Sequence, residues 1–397
     1  MKPREDIASL TGLRGLAALL VVVTHYSRWM AVTPVAEHPA WTERLGGSAN
    51  IGMAIFFTLS GYVIALSYGD WDWRSRPGFN LARFLFYRFA RLYPAFFLFA
   101  ALVIMRQPKL HDLTDGDVES YVLPHLMLLQ TWWPMKFDGI DAASSYFHVS
   151  WSISTEWGLY LLFALGALLM ASLPRWRYRS PILGAAFFTA AAFLLPLAWS
   201  RRSEIAPNGW SDNEWKMWLF YLSPFACAVL FGIGVAAQRF SRLPLSDGMI
   251  RLASNVGALG LVVIYGRLLA DVPDALFPRA IAVALSCAFL MIGSRADSVA
   301  NRLLAGRGIV YVGTISYSLY LFHFAVPAVF GGQFATFDGA APFFFVANFA
   351  ISTAFAIMLA TGIYRLVEVP GRRLIRGAAD RLLGIERRTV VRGLPAE

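Results

Sequence analysis

Leu10-Thr11-Gly12-Leu13-Arg14-Gly15-Leu16-Ala17-Ala18-Leu19-Leu20-Val21-Val22-Val23-Thr24-His25-Tyr26 is an apolar run interrupted by two ionisable side chains, Arg14 and His25. A run of about 17 to 25 such residues has the length of a membrane-spanning helix. A charged side chain in hydrocarbon is penalised by roughly 2.5 to 3.5 kcal/mol on insertion scales, so an intramembrane charge marks a functional site by default. Eleven residues separate Arg14 from His25. At 3.6 residues per turn that is about three turns plus 20°, which sets both on one face about 16 Å apart along the axis. One is a permanent cation and the other a potential base.

The remaining sequence supports a membrane setting. Of 397 residues, 57% are hydrophobic and 15% charged, against about 25% charged in an average soluble domain. Mean hydropathy is +0.53. The expected class is therefore an all-α polytopic membrane protein. A net charge of +10 would point to nucleic acid in a soluble chain. Here the basic residues gather between the apolar stretches, which reads as topology, and no nucleic-acid partner is expected. Cys227 and Cys287 both fall in apolar stretches as small buried hydrophobes, with no disulfide or zinc pattern.

Ten stretches are long and apolar enough to cross a hydrocarbon core about 30 Å thick. They lie near 10–26, 51–68, 84–104, 151–173, 182–199, 217–237, 252–270, 276–293, 310–330 and 343–367. Tyr121 to Trp133 is too short to span and is expected to lie in the interface or to re-enter. With the N-terminus inside, segments 1–9, 69–83, 174–181, 238–251, 294–309 and 368–397 carry 21 Lys and Arg, and the intervening segments carry 8. That bias places the N-terminus and the C-terminus in the cytoplasm. Lys2 and Arg4 before an apolar run imitate a secretory signal, but Arg14 interrupts the run, and the first helix is read as uncleaved. Residues 1–370 form the membrane domain, and 371–397 a basic cytoplasmic tail that meets water and anionic headgroups.

This topology assigns depths. Arg14 lies about 6 Å past the inner edge of the first helix and His25 near its outer end. Arg88 and Arg91, three apart on one helical face, fall in the inner leaflet region. Trp151, Ser152 and Glu156 occupy the first turns of a helix that starts outside, and His323 lies about 20 Å from an inner edge. Cations toward the cytoplasm and a His and Glu group toward the exterior suit a ligand that is anionic at one end and reactive at the other.

Six blocks carry a family resemblance. Leu10 to Ala18 with His25, Phe56-Phe57-Thr58-Leu59-Ser60-Gly61-Tyr62, Arg88-Phe89-Ala90-Arg91 with Tyr93-Pro94, and His148-Val149-Ser150-Trp151-Ser152-Ile153-Ser154-Thr155-Glu156 come first. Gly313-Thr314-Ile315-Ser316-Tyr317-Ser318-Leu319-Tyr320-Leu321-Phe322-His323 and Glu368-Val369-Pro370 complete the order. The chain resembles the acyltransferase family 3 membrane O-acyltransferases. The resemblance implies ten transmembrane helices in a bacterial inner membrane. It also implies transfer of an acyl group, usually acetyl, from cytoplasmic acyl-CoA to an acceptor that is often a carbohydrate hydroxyl. Thr58, Tyr62 and Thr155 depart mildly from the family pattern and leave the ionisable positions intact. The esterase-like extracytoplasmic domain that some members append is not expected here.

Acyl transfer from a thioester to an alcohol needs a base for the hydroxyl proton and stabilisation of a tetrahedral oxyanion. His25 is the expected base and Glu156 the first candidate for its orienting carboxylate. Arg14, Arg88 and Arg91 are assigned to the phosphates of acyl-CoA, for which a planar, permanently charged fork is suited. His323, His148, Trp151 and Ser152 are the acceptor-side contacts, with His148 shaping the mouth of the site. No metal or permanently bound cofactor is expected. The acceptor stays open between surface polysaccharide, lipid-linked glycan and glycosylated metabolite, and the route between direct transfer and an acyl-enzyme.

Bland readings compete with these. Arg88 and Arg91 also fit snorkelling to headgroups, Glu156 an interhelix hydrogen bond, and His323 a structural one. Ser60, Tyr317 and Tyr320 fit helix packing better than chemistry. His111, Asp112, Asp115, Asp117 and Glu119 lack a metal-ligand template and read as a solvated loop. Trp41, Trp132 and Trp133 suit interfacial anchoring better than sugar stacking. A transporter would also use intramembrane Arg, His and Glu, but no inverted repeat is evident. A non-catalytic scaffold would tolerate loss of His25.

Overall fold

The computed structural model describes residues 7–32, 44–107, 110, 113–137, 140–141, 147–172, 194–206, 209–270, 276–326 and 342–385. Across these the fold is helical, apart from a two-residue antiparallel ladder of Lys136–Phe137 with Ile140–Asp141. The principal helices are α1 (Ala8–Val32), α2 (Ser48–Tyr68), α3 (Pro77–Arg106), α4 (Trp151–Ser172), α5 (Pro224–Phe240) and α6 (Asp247–Leu269). They are followed by α7 (Leu276–Ile292), α8 (Arg307–Thr314), α9 (Ser316–Phe322), α10 (Pro342–Ile363) and α11 (Val369–Leu382).

Among the described residues, seven helices are long and apolar enough to cross a membrane. These are α1 to α4, the run Asp212–Phe240 that ends in α5, α6, and the run Val346–Leu382 that joins α10 to α11. The expected eighth span is α7, apolar but only 17 residues long. The expected span 310–330 is broken at Ile315 into α8 and α9, and most of 182–199 lies outside the described residues. Gly and Ser positions permit such kinks. Here Gly313 backs onto the Thr11 carbonyl of α1, and Ile315 takes φ −93° and ψ 5° before Leu319 N–H bonds the Ile315 carbonyl and restarts the helix.

Apolar side chains of α1 to α5 and α7 form the main core, and α1, α8, α9 and α10 share a second one around Val22, Tyr26 and Leu319. On α6, Leu252, Leu259, Val262 and Val263 are exposed. Such a surface is stable against lipid rather than water. Polar contacts join the described loops at both ends of the helices. At one end Ser9 Oγ donates to the Ser294 carbonyl, and Arg242 pairs with Asp70 at 2.7 Å. That hydrogen bond from Arg242 holds the Asp70 carboxyl below the usual carboxylate range. At the other end Arg44 donates to the Leu269 carbonyl, and Lys136 pairs with Glu214 at 2.9 Å.

The segment expected to lie in the interface or to re-enter packs onto α4. Asp115 to Leu126 is helical with a wide π-type turn at Val118–Val122, and Asp117 closes a capping box with Thr114. Leu128 then takes φ 58°, and Leu128, Gln130 and Thr131 are buried. Ser154 Oγ of α4 donates to the Leu128 carbonyl at 2.9 Å, and Thr155 Oγ1 to the Leu222 carbonyl at 2.6 Å. Residues 1–6 and the arginines beyond Ile385, like His111, Asp112 and Trp41, lie outside the described residues.

Candidate active site

Helices α1, α2, α3, α4 and α9 line a partly open cavity of about 120 Å³. Arg14, Arg88, Arg91, Ser60, Ser152 and Glu156 line it, together with Tyr160, Tyr317 and Tyr320. Arg14 reaches it from α1, whose Gly15 packs against α8: an added Cβ there would come 2.3 Å from the Ile309 carbonyl oxygen. The kink at Ile315 turns Tyr317 and Tyr320 into the same space.

Arg88 and Arg91 point into the protein and do not snorkel. Arg88 donates to Tyr68 Oη at 2.8 Å, and its guanidinium lies 5.1 Å from the Tyr68 ring centroid and 5.6 Å from that of Tyr160. Arg91 forms an ion pair with the fully buried Glu368 and lies 5.1 Å from the Tyr317 ring. Electron-rich ring faces and a carboxylate thus replace the water that these cations lose. Glu368 is aimed here by a π-type turn, Tyr364–Glu368, and accepts from Ser318 Oγ at 2.7 Å. Such turns shift helix register and recur at functional sites.

Glu156 lines the cavity but does not orient His25 as expected. Ser60 Oγ donates to its Oε1 at 3.1 Å and Tyr160 Oη donates to the same oxygen. The spacing from Glu156 to Tyr160 is one helical turn, so the second contact follows from α4 itself. The neighbour of His25 Nδ1 is instead His323 Nε2, at 3.0 Å, with the ring centroids 4.9 Å apart.

His323, expected among the acceptor-side contacts or as a structural hydrogen-bonding residue, lies next to His25. It is fully buried, with Nδ1 2.7 Å from the Tyr320 carbonyl oxygen, while Tyr26 Oη donates to the His323 carbonyl at 2.9 Å. The tautomers follow from these partners. A carbonyl only accepts, so His323 Nδ1 carries the proton; in the neutral ring Nε2 then accepts, and His25 donates from Nδ1. The lone pair of neutral His25 therefore resides on Nε2. The contact thus runs from a backbone carbonyl through one imidazole to the next.

Tyr320 connects the two ends. Its hydroxyl accepts from Ser152 Oγ at 2.7 Å at the cavity wall, and its carbonyl holds His323. Trp151 does not line the cavity; its ring packs on Phe57 and Tyr221. His148 opens the single turn His148–Ser150 ahead of α4, and its side chain lies outside the described part. Trp132 is a packing residue whose Nε1 donates to the Ser154 carbonyl at 3.4 Å. Sequence reasoning missed Tyr68, Tyr160 and Ser318 altogether, and treated Ser60, Tyr317 and Tyr320 as packing. The usable signals were intramembrane Glu368 and the four-residue step from Glu156 to Tyr160.

These features define an integral membrane protein built around an internal polar site. A family model described as an acyltransferase domain matches residues 7–364. The chain belongs to acyltransferase family 3, the membrane O-acyltransferases that its motifs resemble. It is similar to acyltransferase MdmB of Streptomyces mycarofaciens, 29% identical over 344 residues that cover 82% of this chain and 80% of that one. It is similar to protein 2 in the picA locus of Rhizobium radiobacter, 30% identical over 39% of this chain and 78% of that one. Peptidoglycan O-acetyltransferase OatA of Listeria monocytogenes is 21% identical over 81% of this chain and 50% of its own length. No solved structure matches.

Proposed function

We propose that the chain carries an acyl group, most simply acetyl, from cytoplasmic acyl-CoA to a hydroxyl of a surface or lipid-linked glycan, or of a glycosylated metabolite, in a bacterial inner membrane. The observation that carries this reading is the chain of hydrogen bonds from the Tyr320 carbonyl through His323 to His25, which leaves a basic lone pair on His25 Nε2. The acceptor hydroxyl gives its proton to Nε2 while its oxygen adds to the thioester carbonyl. Collapse of the tetrahedral oxyanion forms the ester and expels the thiolate, which recovers the proton from His25 as CoA thiol. His323 Nε2 faces the Nδ1–H throughout and favours the transient imidazolium.

Arg14, Arg88 and Arg91 supply the cationic end of the donor site, and the cavity the passage for the acyl-bearing arm. Positive-inside loop charge supports a cytoplasmic donor and both termini inside. The OatA relative, a peptidoglycan O-acetyltransferase by name, supports a carbohydrate acceptor. The test is purified protein in liposomes with labelled acetyl-CoA and cell-envelope glycan: thiol release with label on the glycan is expected. Donor that stays intact with every glycan and glycosylated acceptor supplied would refute the assignment.

A further inference from the structure

Helix α11 turns charge inward. Arg373, Leu374, Arg381 and Leu382 are exposed, whereas Arg372 and Ala379 are buried and Arg376 is half-buried. Long cationic side chains on an amphipathic helix ordinarily keep their heads in water. Arg372 retains 8% of its surface. Close packing on α3 causes this: an added Cβ on Gly371 would come 2.6 Å from Pro94 Cβ. Further along, Tyr87 Oη donates to Asp380 at 2.8 Å, so the two helices run antiparallel.

That register lays the inward side of α11, with Arg372 and Arg376, along the stretch Tyr87–Pro94 of α3 that carries Arg88 and Arg91. The Arg376 guanidinium stands 5.1 Å from the Tyr87 ring, whose hydroxyl also accepts from Arg83 at 3.4 Å. Arg83, Arg88, Arg91, Arg372 and Arg376 thus meet three carboxylates, Glu368, Asp380 and the cavity-lining Glu156, whose Oε1 already accepts from Ser60 and Tyr160. Glu368 already serves Arg91 and Ser318. Among the described residues no ion pair or hydrogen bond holds Arg372, and the buried Nε of Arg88 has no acceptor. Buried positive charge in excess is strongly unfavourable unless an anion joins it. Guanidinium forks in a group are suited to phosphate.

The cavity past Arg88 and Arg91 holds about 120 Å³, below the roughly 300 to 1,000 Å³ of a pocket that encloses a whole small ligand. It suits an extended arm, so the nucleotide at the end of that arm stays outside. We propose that Arg372 and Arg376 of α11 form, with Arg88 and Arg91, one four-guanidinium site for the phosphates of the donor. This rests on the acyl-CoA reading above and extends the donor site to a helix beyond residue 364, where the family match ends. The rival source of the same phosphate chemistry is an anionic lipid headgroup.

The test is CoA titration of the full-length protein in nanodiscs of zwitterionic lipid, repeated with anionic lipid. Arg372→Gln and Arg376→Gln are each expected to weaken CoA about tenfold, the loss of one charge-assisted contact. Arg373→Gln/Arg381→Gln on the outer face is expected to leave CoA affinity unchanged. Arg372→Lys keeps charge and bulk, guards against misfolding, and is expected to recover part of the affinity. Unchanged CoA affinity in both inward variants, or equal losses from the outward pair, overturns the proposal. So does CoA binding that anionic lipid suppresses in the wild type and not in the inward variants, which assigns the arginines to headgroups. A wild-type protein that binds no CoA sinks the acyl-CoA reading itself, a result distinct from wild-type binding with insensitive variants.

Discussion

Arg88 and Arg91 are wrapped at the cavity by three tyrosine rings and a buried carboxylate, whereas His25 and His323, outside its lining, are joined to each other by a hydrogen bond. Under the proposed function, the difference follows from what each group must do. A permanent cation taken out of water has to be neutralised by fixed partners, so the arginine end is part of what holds α3, α4, α9 and the last helix together. A base must change its charge during turnover, so it is better served by a partner that fixes its tautomer and accepts its N–H than by a fixed opposite charge. Damage at the arginine end is therefore expected to show as lost stability and donor affinity, and damage at the histidine end as lost rate.

Substitution of His25 by Ala breaks the comparison most sharply. Turnover is expected to fall by about 10² to 10⁴, the worth of a general base, with thermal stability unchanged. Near-normal turnover removes His25 from the chemistry. Glu368→Gln probes the other end, because Arg91 then keeps its charge without a counter-charge. Breaking a buried pair costs roughly 3 to 5 kcal/mol, and the lower figure is expected since Arg91 keeps some solvent. A thermal or denaturant unfolding midpoint equal to wild type contradicts that bracing role. His323→Ala is the gentlest of the three. Loss of an orienting partner is expected to slow turnover by about 10 to 100-fold, as it does for oriented metal-ligand histidines, with a displaced pH–rate profile. A loss of rate with no change of profile makes His323 a packing residue.

Much of this was legible in the sequence where the signal is local. The three-residue step from Arg88 to Arg91 put both arginines on the cavity, as it predicts, while of the Arg14 and His25 register only Arg14 lines it. Partners were not legible, because helical periodicity selects a face and not the neighbour it meets. Glu368 lies 277 residues from Arg91, and His323 lies 298 from His25. Two local distortions settle those meetings, the π-type turn before Val369 and the kink at Ile315, and hydropathy marks neither. The same blindness let Arg372 pass for a solvated tail residue, since its burial depends on how closely Gly371 can approach Pro94.

The separation of binding from chemistry is tested most directly by measuring CoA affinity and turnover together in His25→Ala and in Arg88→Gln. His25→Ala is expected to bind CoA as the wild type does while its turnover collapses. Arg88→Gln is expected to bind CoA about tenfold or more weakly yet approach wild-type turnover at saturating donor. CoA affinity lost in His25→Ala to the same degree as in Arg88→Gln would contradict the division between an arginine end that holds the donor and a histidine end that moves the proton.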